Sequence, residues 1–131
     1  MSNERILDAD ALRAANRWAY AYYVAGYAVE CALKSCVLAR MIDTEGVFKD
    51  KKFAEACWTH DFGKLVELAG LKPQLNLELA ANPTFVGLWG TATLWKETSR
   101  YEQKTQPEAD ALYLAITDNA DGVMRWIRNY W

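Results

Sequence analysis

Between Trp18 and Ile42 the chain reads WAYAYYVAGYAVECALKSCVLARMI, and this segment limits the fold more than any other. Apolar residues fall at helical spacing on two stripes, Trp18, Tyr22, Ala25, Val29 and Leu33 on one and Val24, Ala28, Cys31 and Leu38 on another. A helix that is apolar all round must be covered all round. The segment therefore predicts a long, buried central helix, and the rest of the chain has to supply its cover. Its longest charge-free run, Trp18 to Val29, is 12 residues, well short of the roughly 20 that a membrane-crossing helix needs.

Inside this run stand Glu30 and Lys34, one helical turn apart with the glutamate first. That is the favoured order for an intrahelical pair, which contributes a few tenths of a kcal/mol when exposed. In a buried helix the pair needs further partners, because an uncompensated buried charge is costly.

The cover is also helical by its spacing, and no segment alternates as a strand bounded by hairpin turns. A first helix is predicted from Asn3 to Ala15, with Ile6, Ala9, Leu12 and Ala15 as a modest apolar face and Asn16 as its stop. After the central helix, DTEGVFKDKKFAEACWTH reads as a loop holding a short helical turn and a basic cluster of Lys49, Lys51 and Lys52. A short helix from Asp61 to Ala69 ends at Gly70, and Gln74 to Ala81 adds a turn or two. Asn82 as N-cap and Pro83 at the first position start a helix expected to reach Tyr101. Thr105 and Glu108 have capping-box spacing, and a last helix is expected from Gln106 to the end, with Leu112, Ile116, Val123, Trp126 and Tyr130 on one face. The expectation is an all-α fold, an up-and-down bundle of four to five helices.

A chain of 131 residues suits one domain spanning 1–131. Six Trp and seven Tyr exceed what its core would use, so some aromatic surface is expected to meet a partner. A net charge of −2 gives no global field to gather nucleic acid, so any such binding needs a local basic patch. Cys31, Cys36 and Cys57 read as small buried hydrophobes of a reducing compartment. The polar opening MSNERILDAD lacks the pattern of a signal peptide, and a cytoplasmic protein is expected.

The string YYVAGYAVECALKS, followed by HDFGKLVELAGL and then WKETSRY, resembles the HEPN superfamily, the higher eukaryote and prokaryote nucleotide-binding domain, in its bacterial stand-alone form. The resemblance runs from about Leu7 to Tyr101 and is most specific in A-G-Y-A-V-E-C-A-L-K. It implies a helical bundle, usually a homodimer, in a group that includes RNA-cleaving toxins of toxin–antitoxin pairs, partners of nucleotidyltransferases and non-catalytic members. The ribonucleases of that group carry an Arg followed after four to six residues by a His, which supplies a cation for phosphoryl charge and a group for proton transfer. Here the single histidine, His60, is preceded at those distances by Phe53, Ala54 and Glu55, and Trp95-x4-Arg100-Tyr101 is followed by no histidine. The resemblance thus implies nucleotide or RNA binding, or an interaction role, without the usual ribonuclease chemistry.

The candidate binding residues are Lys96, Arg100 and Lys104, which a helix extending that far would line up as a basic stripe beside Trp95 and Tyr101. Cations interleaved with aromatics suit phosphate contact and base stacking, and the alternative is a solvated charged face beside a buried Trp95. Arg100 is equally placed to reach Glu30 and complete a structural network of Glu30, Lys34 and Arg100. His60, just before Asp61, is expected to cap the helix there or to bond the backbone. Were the protein an atypical ribonuclease, Arg100 would hold phosphate while His60 or Tyr101 moved the proton. No cofactor is called for, and Cys57 with His60 lacks the two further ligands of a zinc site. The closing MRWIRNYW leaves Trp131 needing cover, which a second subunit would provide. A third reading is a purely structural dimerisation module beside a nucleotidyltransferase.

Overall fold

A computed structural model of the protein describes residues 1–43 and 51–131. It is all-helical, with no strand among the described residues. Its α-helices are α1 (Ser2–Ala14), α2 (Trp18–Asp43), α3 (Lys51–Ala56), α4 (Phe62–Leu68), α5 (Lys72–Ala81), α6 (Pro83–Thr93), α7 (Gln106–Thr117) and α8 (Val123–Ile127), and a 3-10 turn covers Glu97–Tyr101. Helix α2 is the axis of the bundle and packs against α1, α4, α7, α8 and the 3-10 turn. Its Ala25, Ala28, Val29, Ala32, Leu33 and Val37 are buried, whereas Leu38 and Ile42 near its C-terminal end are exposed. The cover predicted from the sequence is therefore present along the middle of the helix, with Tyr20 in the first turn and the last turns left exposed. No described helix is long and apolar enough to cross a membrane.

Several boundaries follow local chemistry. Asn16 takes the left-handed conformation at φ 59° and turns the chain from α1 into α2. Asp61 caps α4 by accepting from the Lys64 N–H at 3.0 Å, and Gly70 follows that helix at φ 72°. Asn82 caps α6 by accepting from the Phe85 N–H at 3.1 Å. The Thr105 and Glu108 capping box is complete at the start of α7. The basic cluster is not characterised, since Lys49 and the side chains of Lys51 and Lys52 lie outside what the structure describes.

Two predicted helices are shorter than expected. Helix α6 stops at Thr93 instead of continuing to Tyr101. The Thr91 and Thr93 hydroxyls donate to the carbonyls of Gly87 and Gly90, a local bond that competes with helix continuation. The Leu94 and Trp95 N–H groups then bond three residues back, and Lys96 is extended. The last segment likewise divides into α7 and α8 at Asp118, whose carbonyl accepts from the Gly122 N–H at 3.0 Å and whose side chain accepts from the Asp121 N–H at 2.8 Å.

Trp126, fully buried, meets Phe85, Trp89 and Tyr130 with ring centroids 5.9, 6.1 and 5.4 Å away, tying α6, α8 and the C-terminal turn together. Nearby, Arg125 donates to Glu78 at 2.7 Å and Asn82 donates to the same oxygen at 3.1 Å, joining α5 to α8. The Arg125 hydrogen bond holds the Glu78 carboxyl below its ordinary range, against the opposing effect of burial and with help from Asn82 and the guanidinium charge. Because the folded carboxyl is the stronger acid, this pair stabilises above the unfolded pKa and is lost as pH falls through the folded one. An acid titration of urea unfolding should therefore show Arg125→Met costing stability at neutral pH and the gap to wild type closing as Glu78 is protonated; a gap independent of pH would contradict the linkage.

Candidate functional site

Glu30 is buried, with only 2% of its surface exposed. A carboxylate in that position has to be compensated. Lys34 Nζ lies 2.7 Å from its Oε1, the intrahelical pair expected from the spacing. The third member is not Arg100. His60 Nδ1 stands 2.9 Å from both Oε1 and Oε2 of Glu30, and its Nε2 contacts the Glu97 carboxylate. A chain of four groups, Lys34–Glu30–His60–Glu97, thus joins α2, the residues before α4 and the 3-10 turn.

The correction has two physical sources. The end of α6 at Thr93 removes Arg100 from the helical register that would have aimed it at Glu30, and its guanidinium lies over the Tyr101 ring, 4.7 Å from the centroid. Asp61 takes the capping role, so His60 is free to face α2. The available signal was Asp61 itself, an N-cap residue type that made a capping histidine superfluous.

Of the two readings of Trp95, a stacking platform or a buried ring, the second holds, and the side chain is part of the core. Its ring stacks on Phe62 with centroids 5.3 Å apart and planes at 8°, and it lies 6.1 Å from Tyr23. Its pyrrole edge abuts Gly26, where a Cβ would collide with Cδ1, Nε1 and Cγ of the indole. Gly26 is thus the residue that lets Trp95 seat against α2, and the specific A-G-Y string carries a packing requirement.

The expected stripe of Lys96, Arg100 and Lys104 does not form, because the three residues divide between two cavities. One, of about 540 Å³, is lined by His60, Asp61, Trp95, Lys96 and Glu97 with flanking threonines. The other, of about 370 Å³, lies between the α1–α2 turn and the 3-10 turn and is lined by Arg17, Trp18, Tyr20, Arg100, Tyr101 and Lys104, among others. His60 and Arg100 line different cavities, so one chain does not place them across a single phosphate.

The second cavity has a repeated motif. Arg17 lies over Tyr20 at 5.2 Å, Arg100 over Tyr101 at 4.7 Å and Lys104 over Tyr22 at 4.5 Å. Lys104 also pairs with Glu102 at 3.2 Å. Arg17 and Arg100 have no ion pair among the described residues. The cavity also faces the start of α2, where the N–H groups of Trp18, Ala19 and Tyr20 have no acceptor within the helix. Exposed guanidinium groups beside a helix start favour an anion. Sequence reasoning found Arg100, Tyr101 and Lys104 but missed Arg17, Trp18 and Tyr20; the turn at Asn16 was read only as the end of a helix, not as a presenter of side chains.

Among the described residues no group of three or more His, Cys, Asp or Glu is arranged to hold a metal. The three cysteines are free. Burial pushes the Cys36 thiol up to about 11 and raises that of Cys57, so neither is a ready nucleophile.

No protein-family model, curated protein or solved structure matches the chain.

Proposed function

We propose that the protein is a HEPN-like helical domain that binds RNA or a nucleotide without cleaving it, in the cavity between the α1–α2 turn and the 3-10 turn. The observation that carries this reading is the pair of arginines, Arg17 and Arg100, each lying over a tyrosine and without an ion pair among the described residues, that line one cavity from its two sides. Guanidinium groups take phosphate oxygens, and the exposed rings of Tyr20 and Tyr101 offer faces on which bases stack. The motif string in α2 supports the family reading. The same reading makes it a cytoplasmic protein, a homodimer or the companion of a nucleotidyltransferase, in keeping with exposed apolar side chains such as Trp58, Leu94 and Leu114.

Fluorescence anisotropy with a labelled single-stranded RNA lacking terminal phosphates tests it. Arg17→Ala and Arg100→Ala should each weaken binding about three- to tenfold and lower the salt dependence by about one phosphate contact. Neither should shift the unfolding free energy by more than about 0.5 kcal/mol, since both side chains are exposed. Binding equal to wild type in both variants would refute the assignment.

The ribonuclease alternative retains one favourable observation, that His60 is oriented through Nδ1 by a buried carboxylate as general bases are. Because His60 and Arg100 line separate cavities, that chemistry would have to be assembled from two chains. Cleavage of mixed RNA by wild type, lost in both His60→Gln and Arg100→Ala, would replace the binding reading with this one.

A further inference from the structure

We propose that His60 is a proton-operated latch that positions the 3-10 turn, and through it Arg100 and Tyr101, so that occupation of the cation-lined cavity weakens as pH rises. The inference rests on the binding reading above and adds a regulation of that same site.

The latch is a single ring between two carboxylates. Nδ1 faces Glu30 on α2 and Nε2 faces Glu97, the first residue of the 3-10 turn. A neutral imidazole carries one N–H, and both contacts can be donated only when the ring holds two protons. Imidazole is also the side chain that ordinarily changes charge between pH 5 and 8.

Which contact is surrendered on proton loss follows from burial. Glu30 is almost fully enclosed, and leaving its carboxylate short of a donor is costly, whereas the Glu97 side chain is half exposed and can turn to water. The remaining proton therefore stays on Nδ1. Nε2 then presents a lone pair to a carboxylate, and Glu97 is released.

What Glu97 holds is the segment that carries the binding residues. The turn runs Glu97-Thr-Ser-Arg100-Tyr101. The bonds at its two ends are Ser99 N–H to the Lys96 carbonyl at 3.0 Å, Ser99 Oγ to the same carbonyl at 2.6 Å, and Glu102 N–H to the Ser99 carbonyl at 3.1 Å. A short 3-10 turn has little stability of its own. Buried Ser99 anchors its middle, and Glu97 ties its first residue to α2 through His60. Arg100 and Tyr101 follow directly.

Other ionisable groups face this ring. From α2 come Glu30 and Lys34, from the segment before α4 comes Asp61, from the start of the 3-10 turn come Lys96 and Glu97, and Cys57 lies near Lys34. Burial raises the Cys57 thiol above its ordinary range, further from the imidazole window. A guanidinium group stays protonated at every pH a folded protein meets, and an internal phosphodiester carries its charge throughout. The pH response is thereby assigned to His60.

The test measures affinity for a labelled single-stranded RNA without terminal phosphates, and protection factors of the Ser99 and Glu102 amides by hydrogen exchange, from pH 5.5 to 8.5. If the held turn falls to about a third of the population, apparent affinity falls about threefold, with protection falling in parallel. His60→Gln, which keeps a donor for Glu30 but cannot gain a proton, should be flat in both measurements. Glu97→Gln, whose side-chain amide can donate to a neutral Nε2, should also lose the fall with rising pH. A purely structural histidine would shift stability without a pH profile confined to this turn. Equal pH profiles in wild type and His60→Gln, or wild-type protection that does not change with pH, would overturn the latch while leaving the binding site intact. Absence of RNA binding at every pH would instead overturn the binding reading and the coupling with it.

Discussion

Gly26→Val will destabilise the protein by about 3 kcal/mol or more, at the upper end of what overpacking a core costs. The cost is not set by the helix, where valine is a slightly better residue than glycine. It comes from Trp95, whose pyrrole edge occupies the space a Cβ would take. Moving the indole aside would break its stack on Phe62 and its approach to Tyr23, which lies at 6.1 Å. For a chain of this size the loss should lower the melting temperature by about 10 °C. The decisive control is the double variant with Trp95→Leu, which frees the space: the two costs should fall well short of additive. Strict additivity in a denaturant double-mutant cycle would show that Gly26 matters for another reason.

Trp126→Ala will cost about 3–5 kcal/mol, the range for truncating a buried aromatic. Trp126 is central to a cluster of Phe85, Trp89 and Tyr130, so its loss opens a cavity lined by rigid rings that cannot collapse into it. Trp126→Phe should recover roughly half of that, because volume is partly restored. A loss under about 1 kcal/mol for the alanine variant, measured by urea unfolding, would mean that the C-terminal turn is not integrated with the core.

The all-helical class and the caps at Asn82 and Thr105 were legible because apolar periodicity and capping chemistry are written locally. The helix ends at Thr93 and Thr117 were not, because they depend on threonine back-bonding and on the aspartate turn around Asp118. That error propagated into the site. Treating 83–101 as one helix placed Arg100 toward Glu30 and aligned it with Lys96 and Lys104, whereas the extended Lys96 and the 3-10 turn separate them. The need of Glu30 for a further partner was readable, since a carboxylate in an apolar run demands one. Its identity was not, because His60 approaches from 30 residues away and only the packing of α4 on α2 brings it near.

The position of α2 also has a consequence for synthesis. It is made early, yet two of its covering neighbours, α7 and α8, begin only at Gln106 and Val123. A growing chain therefore carries the part of α2 that α7 and α8 cover exposed until those helices have left the ribosome, and such exposed apolar surface is what chaperones bind and aggregates recruit. For this fold, the speed at which residues 106–127 follow α2 out of the ribosome sets how long that hazard lasts.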